Sequence, residues 1–474
     1  MGLLALPNFN GEIKVEISFR IILLKMNYMK IVGKKILVAL LSSVVLFGCG
    51  EENSAPDTKY VKEFHQKFFE KTQKHTLKEN DLALYVDYST CITLGQHSRF
   101  FQSLRGVFSN STKHYYSIKG PNIQEEETVD VWNELSNIVE VNYADLKNAA
   151  NLIADGNSEA VLLTDGEYIQ KNIAGGGINY PYMTDALKKW LKKGHDVYIF
   201  AEPYIEKHKG LEYNKKRLYF VFTDSRIKGN IYENICETVD LDKFPEVEMF
   251  HLSVDHPAIE MKRGELELNP TLSASVKSYG DYEIQDWAID WDAIRNVIMN
   301  GVDPNTGAPL PYGECVMGGL KVDKESYGGY KISDIEVNVY DINYDYFNFY
   351  SLKDGGIAVD EKPQLYPSPN SFVYDTAEFQ KNGIVNLYLD ASMWNPEFLT
   401  GNTFNYTKID ICVSNCVNVF NKNNMMFNFD ALDRPGEINT SVTESIKQCL
   451  FDPEIKEMLE KTVLYSIYIK SNKY

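Results

Sequence analysis

Two short apolar segments, Leu82–Asp87 (LALYVD) and Ala160–Gly166 (AVLLTDG), decide the fold predicted for this chain. Each begins with four or five apolar residues, a length typical of a strand that is buried on both faces of a sheet. Each then reaches an aspartate. Because ligands bind where the carboxyl ends of parallel strands meet, we expect Asp87 and Asp165 to lie together at a functional edge.

Helical and strand patterns alternate around these two segments. We predict helices at His97–Phe108, Asp145–Ala154 and Thr184–Lys193, and further strands at His114–Ile118, His195–Ala201 and Arg217–Phe222. This alternation predicts an α/β doubly wound domain over residues 80–245. Residues 49–79 in front of it are interpreted as a tether followed by a packing helix, because Val61, Phe64 and Phe68 recur at helical spacing.

Residues 246–474 show a different pattern, in which strands and turns follow one another. We predict strands at 250–254, 332–350, 384–389, 408–413 and 463–469, and one helix at Trp287–Met299. Helix-start signals at Ser441 and at Asp452-Pro453 predict two helices near the end of the chain. The whole segment is therefore expected to be a β-rich, sandwich-like region with terminal helices.

The first 48 residues predict an export signal. Three lysines precede the apolar run Ile36–Phe47, which is about a dozen residues long and too short to cross a bilayer. Leu46-Phe47-Gly48-Cys49 resembles a bacterial lipobox, and the resemblance implies lipidation of Cys49 and membrane attachment without a spanning helix. We expect a cell-envelope location in the outer membrane, and the glutamates after Cys49 leave the cell surface open as an alternative.

The segment before this signal is unusually long. Met26 and Met29 lie directly upstream of Lys30, the first lysine of the basic patch. We therefore expect translation to begin at one of these methionines, and residues 1–25 to be a start-site artefact.

Composition narrows the function classes. The chain has 474 residues, with 48 Lys and Arg against 66 Asp and Glu, and its net charge of −18 disfavours nucleic acid as a partner. The sequence contains no His-Glu-x-x-His, Gly-x-Ser-x-Gly or dinucleotide-binding motif. Its eight histidines lack metal-ligand spacing, and His195 is expected at the surface.

Asp341, Asn343 and Asp345 begin like a calcium loop, but Leu352 replaces the bidentate Glu of such a loop. We therefore interpret them as the polar face of a strand.

The residues that follow the two deciding strands resemble a known site. Asp87-Tyr88-Ser89-Thr90-Cys91 and Thr164-Asp165-Gly166 together resemble the von Willebrand factor A (vWA) domain. That family has Asp-x-Ser-x-Ser after its first strand and Thr-Asp-Gly after its fourth. The resemblance covers about a third of the chain and implies a vWA/Rossmann-like fold. It also implies Mg²⁺, Mn²⁺ or Ca²⁺ held by Asp87, Ser89 and Asp165, with one coordination position left for a carboxylate of a partner.

Two positions depart from the family pattern. Cys91 stands where the family has its second Ser, and a thiol is a poor ligand for Mg²⁺. The family's Thr is expected near Asn142–Asp145, where no Thr occurs. The resemblance thus implies a partly degenerate metal-ion-dependent adhesion site.

Three functions remain open on the sequence alone. The first is an envelope-anchored lipoprotein that binds an unidentified protein partner through this site. The second is a metal-assisted hydrolase that uses the same Asp cluster. The third is a metal-free structural subunit of an envelope complex.

Overall fold

A computed structural model of the chain describes residues 58–69, 77–88, 92, 98–127, 144–168, 177–254, 261–268, 275–289, 315–322, 329–354, 362–368, 372–389, 404–418, 420, 425–432, 434–460 and 462–473. Cys49, Ser89 and Cys91 lie outside these residues. From Thr58 onward the chain clusters into one unit. Among the described helices, none is both long and apolar enough to cross a membrane.

The first half of the chain alternates strands and helices. In chain order, its elements are α1 (Thr58–Phe68), β1 (Lys78–Asp87), α2 (Arg99–Ser111), β2 (Thr112–Lys119), β3 (Asn122–Glu126), α3 (Leu146–Asp155), β4 (Ser158–Thr164), α4 (Thr184–Leu191), β5 (Asp196–His208), β6 (Leu211–Thr223), α5 (Ile231–Thr238) and β7 (Glu248–Leu252). Polar side chains fix two of the helix starts, since Ser98 accepts from the Phe101 amide and Asp145 from the Asn148 amide. The α/β class predicted for this part of the chain is therefore confirmed.

Its seven strands form one mixed sheet. The strand order is β3-β2-β1-β4-β6-β5-β7. Strands β2, β1 and β4 run parallel, whereas the pairs made by β3, β6, β5 and β7 are antiparallel. Val86 of β1 lies opposite Leu163 of β4, so Asp87 and Thr164 end neighbouring strands at the same edge of the sheet.

Strands β5 and β6 depart from the predicted alternation. They are strands, as expected, but no helix separates them, because residues 196–223 form one antiparallel hairpin. Lys209 and Gly210 make its turn with φ of 49° and 79°. Two consecutive positive φ values are what a two-residue type I′ hairpin turn requires.

This hairpin is longer than the strands beside it. Strand β4 pairs with β6 only over Leu218–Phe222, and β7 pairs with β5 only over Val197–Ala201. The rest of the ladder, residues 202–217, has no neighbour in this sheet and extends past Thr164, the end of β4. We call this segment the hairpin arm. It stands at the edge where Asp87 and Asp165 lie.

The second half of the chain is β-rich and has two helices near its end, followed by a last strand, as predicted. Its elements are β8 (Met261–Leu268), β9 (Ser275–Tyr279), β10 (Tyr282–Ile289), β11 (Cys315–Val322), β12 (Tyr330–Asp341), α6 (Asn343–Asp354), β13 (Tyr366–Pro367), β14 (Phe372–Tyr374), α7 (Thr376–Asn382), β15 (Ile384–Leu389), β16 (Phe404–Asn418), β17 (Phe429–Asp430), β18 (Ile438–Asn439), α8 (Ser441–Leu450), α9 (Pro453–Leu459) and β19 (Val463–Lys473). The sheet orders are β13-β12-β16-β19-β10-β9, β14-β15-β11-β8 and β17-β18.

The hydrophobic core is shared between the two halves. One cluster contains Leu162 and Phe220 of the α/β sheet together with Leu387 and Ile411 of the β-rich sheets. A second cluster lies on the other face of the α/β sheet under α2 and α5. A third buries α1 and α6 against the six-stranded sheet. The predicted packing helix thus contacts the β-rich half of the chain.

Three sequence expectations are wrong in detail. Trp287 belongs to strand β10, and the rest of the helix predicted up to Met299 lies outside the described residues except 288 and 289, which are also in β10. The strand predicted to reach Tyr350 ends at Asp341, because helix α6 follows. His195 is fully buried rather than at the surface, since its ring packs edge-on against Trp190 at 4.7 Å.

Candidate functional site

Asp87 and Asp165 lie at neighbouring strand ends and are almost completely buried, with 0% and 1% of their surface exposed. Thr164 links the two strand ends. Its Oγ1 donates to Asp87 Oδ2 at 2.8 Å and accepts from the Gly166 amide at 3.0 Å. The structure therefore places two of the three predicted metal ligands at one edge, while Ser89 lies outside the described residues.

The two carboxylate oxygens of Asp165 differ in their hydrogen bonding among the described residues. Its Oδ1 accepts from the Glu167 amide at 2.9 Å. Its Oδ2 is buried and accepts no hydrogen bond within the part of the chain that the structure describes. Burial of a carboxylate oxygen without a partner is costly, so this atom marks a position suited to a cation or a donor.

The charges of both aspartates affect the pKa of the Tyr182 phenol. It is fully buried among apolar residues and donates to the Gly166 carbonyl at 3.3 Å. Burial raises the pKa of Tyr182 well above its ordinary value, and the negative charges of Asp165 and Asp87 raise it further. The phenol stays protonated, and both carboxylates act on this one group.

A buried ion pair that the sequence reasoning missed lies next to Asp165. Lys215 Nζ is 2.8 Å from Glu167 Oε1, which also accepts from the Leu432 amide at 3.0 Å. Burial raises the pKa of Glu167, and so does the charge of Asp165, while Lys215 opposes the shift. Glu167 follows the Thr-Asp-Gly motif directly and could have been considered, but no local pattern indicated Lys215.

A segment near the end of the chain packs on the Thr-Asp-Gly turn. A Cβ placed on Gly166 would lie 3.3 Å from both Phe429 and Val442. Further along, the Thr440 amide donates to the Ile178 carbonyl at 2.5 Å. The turn that carries Asp165 is therefore held from the β-rich half of the chain.

Replacement of Gly166 by Ala should destabilise the protein by about 1–3 kcal/mol. Gly166 has a φ of +76°, and its Cβ would lie 2.8 Å from Leu218 Cδ1. Gly229→Ala is the matched control, because Gly229 has a φ of +73° but open space around it. Urea unfolding of both variants separates the clash from the backbone strain. Equal losses in the two variants would show that the turn is not tightly packed.

A second buried ion pair joins the hairpin arm to the start of α2. Arg217 Nη1 donates to Glu202 Oε2 at 2.5 Å, and the Tyr219 hydroxyl donates to the same oxygen at 2.8 Å. Ser98 Oγ, which caps α2, donates to the other Glu202 oxygen. The arm thus contacts the start of α2, the helix that follows β1, through Glu202, and it contacts Glu167, just after β4, through Lys215.

The donor set fits a hard divalent cation, although it is incomplete among the described residues. Asp87 and Asp165 offer carboxylate oxygens, which such ions prefer. No group of three or more His, Cys, Asp or Glu side chains that could hold a metal occurs in the described ranges. Asp145, which lies in the stretch where the family's Thr is expected, caps α3 through Oδ1, and Asn142 lies outside the described residues.

Comparisons with known proteins add no family. No protein family, no curated protein and no solved structure matches the chain.

Five cysteines in the described segments are free thiols, namely Cys236, Cys315, Cys412, Cys416 and Cys449.

Proposed function

We propose that this chain is a lipid-anchored protein of the cell envelope whose α/β region binds a protein partner through a divalent cation. Asp87 and Asp165 hold the cation, together with Ser89, and the partner supplies a carboxylate. The observation that carries the proposal is Asp165 Oδ2, a buried carboxylate oxygen that accepts no hydrogen bond among the described residues. A cation at this position would satisfy the oxygen.

The position of the motifs supports a vWA-like reading of the α/β region. Asp87 ends β1, and Thr164 ends β4, the fourth strand along the chain, so Asp165 and Gly166 follow that strand directly. Strands β1 and β4 are parallel neighbours, so the two motifs meet at one edge. The long hairpin of β5 and β6 is a departure from the doubly wound pattern.

The anchor belongs to the same proposal. The lipobox-like residues before Cys49 support lipidation and an outer-membrane location, and the two glutamates behind it keep the cell surface open as an alternative. A lipid on Cys49 would hold the tethered chain at the membrane.

A divalent cation should stabilise the wild-type protein and not Asp165→Asn. Binding to the native state alone adds about 2.7 kcal/mol at a concentration a hundredfold above Kd. Thermal unfolding with Mg²⁺, Mn²⁺ and Ca²⁺ in turn measures this effect. Asp155→Asn is the matched control, because Asp155 is an exposed carboxylate at the end of α3 that pairs with Lys189. If every cation leaves the wild type unchanged, the metal form of the proposal fails.

A metal-free structural subunit is the second candidate. Lys215 favours it, because its ammonium already supplies a buried positive charge to Glu167, whose amide donates to Asp165. In that case the wild type and Asp165→Asn would respond alike to all three cations.

A further inference from the structure

Lys215 is a buried cation at the edge where the proposed metal site lies. Only 1% of its surface is exposed, and its Nζ lies 2.8 Å from Glu167 Oε1 and 3.3 Å from the Asp430 carbonyl. The ammonium also lies over the Phe429 ring, 4.6 Å from its centroid. These contacts hold it in one place.

Glu167 connects this ammonium to Asp165. The Glu167 amide donates to Asp165 Oδ1, and its carboxylate pairs with Lys215. Asp165 and Glu167 are thus two residues apart in one short turn, and the positive charge is paired with Glu167. A cation at Asp165 Oδ2 would be attracted by both carboxylates and repelled by the ammonium.

The repulsion from Lys215 is significant because Lys215 is the ammonium that pairs with one of the carboxylates at this edge. Asp87, Asp165 and Glu167 bring three carboxylates to the edge, and Lys215 brings one ammonium to Glu167. Charges interact far more strongly in a buried setting than in water, because little solvent screens them. One fixed positive charge therefore offsets part of the field that would draw in a divalent ion.

We infer that Lys215 sets the cation affinity of this site, acting as an internal counter-ion that weakens metal binding and lets the acidic edge fold without metal. The inference depends on the proposed function, since it assumes that a cation binds at Asp165. It goes further in assigning a specificity-determining role to a residue of the hairpin arm. It also explains why the arm carries a lysine into a buried position.

Calorimetric titration with Mn²⁺ tests the inference. Lys215→Gln removes the charge but keeps a donor for Glu167, and it should bind Mn²⁺ about tenfold more tightly than the wild type. Lys215→Met also removes the charge and should also bind Mn²⁺ more tightly, so it replaces Lys215→Gln in the test if that variant does not fold. Lys207→Met is the matched control and should leave the affinity unchanged, because Lys207 lies on the same arm with its side chain 77% exposed.

Two results would overturn the inference, and they can be told apart. If Mn²⁺ binds the wild type and not Asp165→Asn, but folded Lys215→Gln has unchanged or weaker affinity, Lys215 does not tune the site and the proposed function stands. If neither the wild type nor Lys215→Gln binds Mn²⁺, the proposed function fails and the inference fails with it. Near-ultraviolet circular dichroism establishes that each variant is folded.

Discussion

Glu202→Gln should lower the free energy of unfolding by about 3–5 kcal/mol. The substitution leaves the Arg217 guanidinium buried at 1% exposure without the carboxylate that compensates its charge. Gln has one carbonyl oxygen, which can still accept from Tyr219, and its amide nitrogen can donate to Ser98 Oγ, so the loss reports mainly the uncompensated charge. Urea unfolding at neutral pH measures it.

The double variant Glu202→Gln with Arg217→Met is the control for this expectation. Removing both charges together is far less costly than removing one, so the double variant should recover most of the lost stability. If the single and double variants are equally unstable, the ion pair is not the reason for the loss. The hairpin arm would then be stabilised by its packing alone.

Acidification should destabilise the protein through two buried histidines. Burial, reinforced by the charge of Lys408, lowers the pKa of His65 to about 3. Burial also lowers the pKa of His195 to about 4, against the opposing charge of Asp224. Both rings are neutral in the native state, while the unfolded chain takes up protons below a pH of about 6.5. Stability is therefore full above that pH and is lost as the pH falls, by about 3 kcal/mol per histidine at a pH of about 4.

His65→Gln isolates one of the two contributions. His65 Nδ1 lies 2.8 Å from the Tyr468 hydroxyl, and Gln keeps a partner for that group. Unfolding free energies measured across this pH range should fall less steeply in the variant, by up to about 1.4 kcal/mol per pH unit. Equal slopes in the wild type and in His65→Gln would contradict the assignment.

Much of the fold can be predicted locally. The apolar runs of β1 and β4 are strands at the expected positions, and the Asp452-Pro453 signal begins α9 with Asp452 accepting from the Glu454 amide. These features depend only on residues that are close together in the sequence, so local patterns are enough to predict them.

The hairpin arm could not be predicted from apolar periodicity. Its buried face carries Glu202, Lys215 and Arg217, which read as solvent-exposed residues in a sequence. They are buried because each has a charged partner across the arm or from another segment. The Lys209-Gly210 turn was the one local signal that could have indicated the hairpin.

The surroundings of Asp165 depend on contacts between distant parts of the chain. Leu432 donates to Glu167 and Phe429 packs near Gly166, although more than 250 residues separate the partners. Nothing in the residues around Thr164-Asp165-Gly166 indicates this packing. The motif predicted which side chains meet at the edge, and only the fold shows what holds them.

Counting bound Mn²⁺ by electron paramagnetic resonance is the most direct test of the central claim. We expect one Mn²⁺ bound by each wild-type chain, and none bound by Asp165→Asn or Asp87→Asn that remains folded. Asp155→Asn should bind like the wild type. The absence of bound Mn²⁺ in the wild type, or equal binding by Asp165→Asn, would show that Asp165 does not hold a divalent cation.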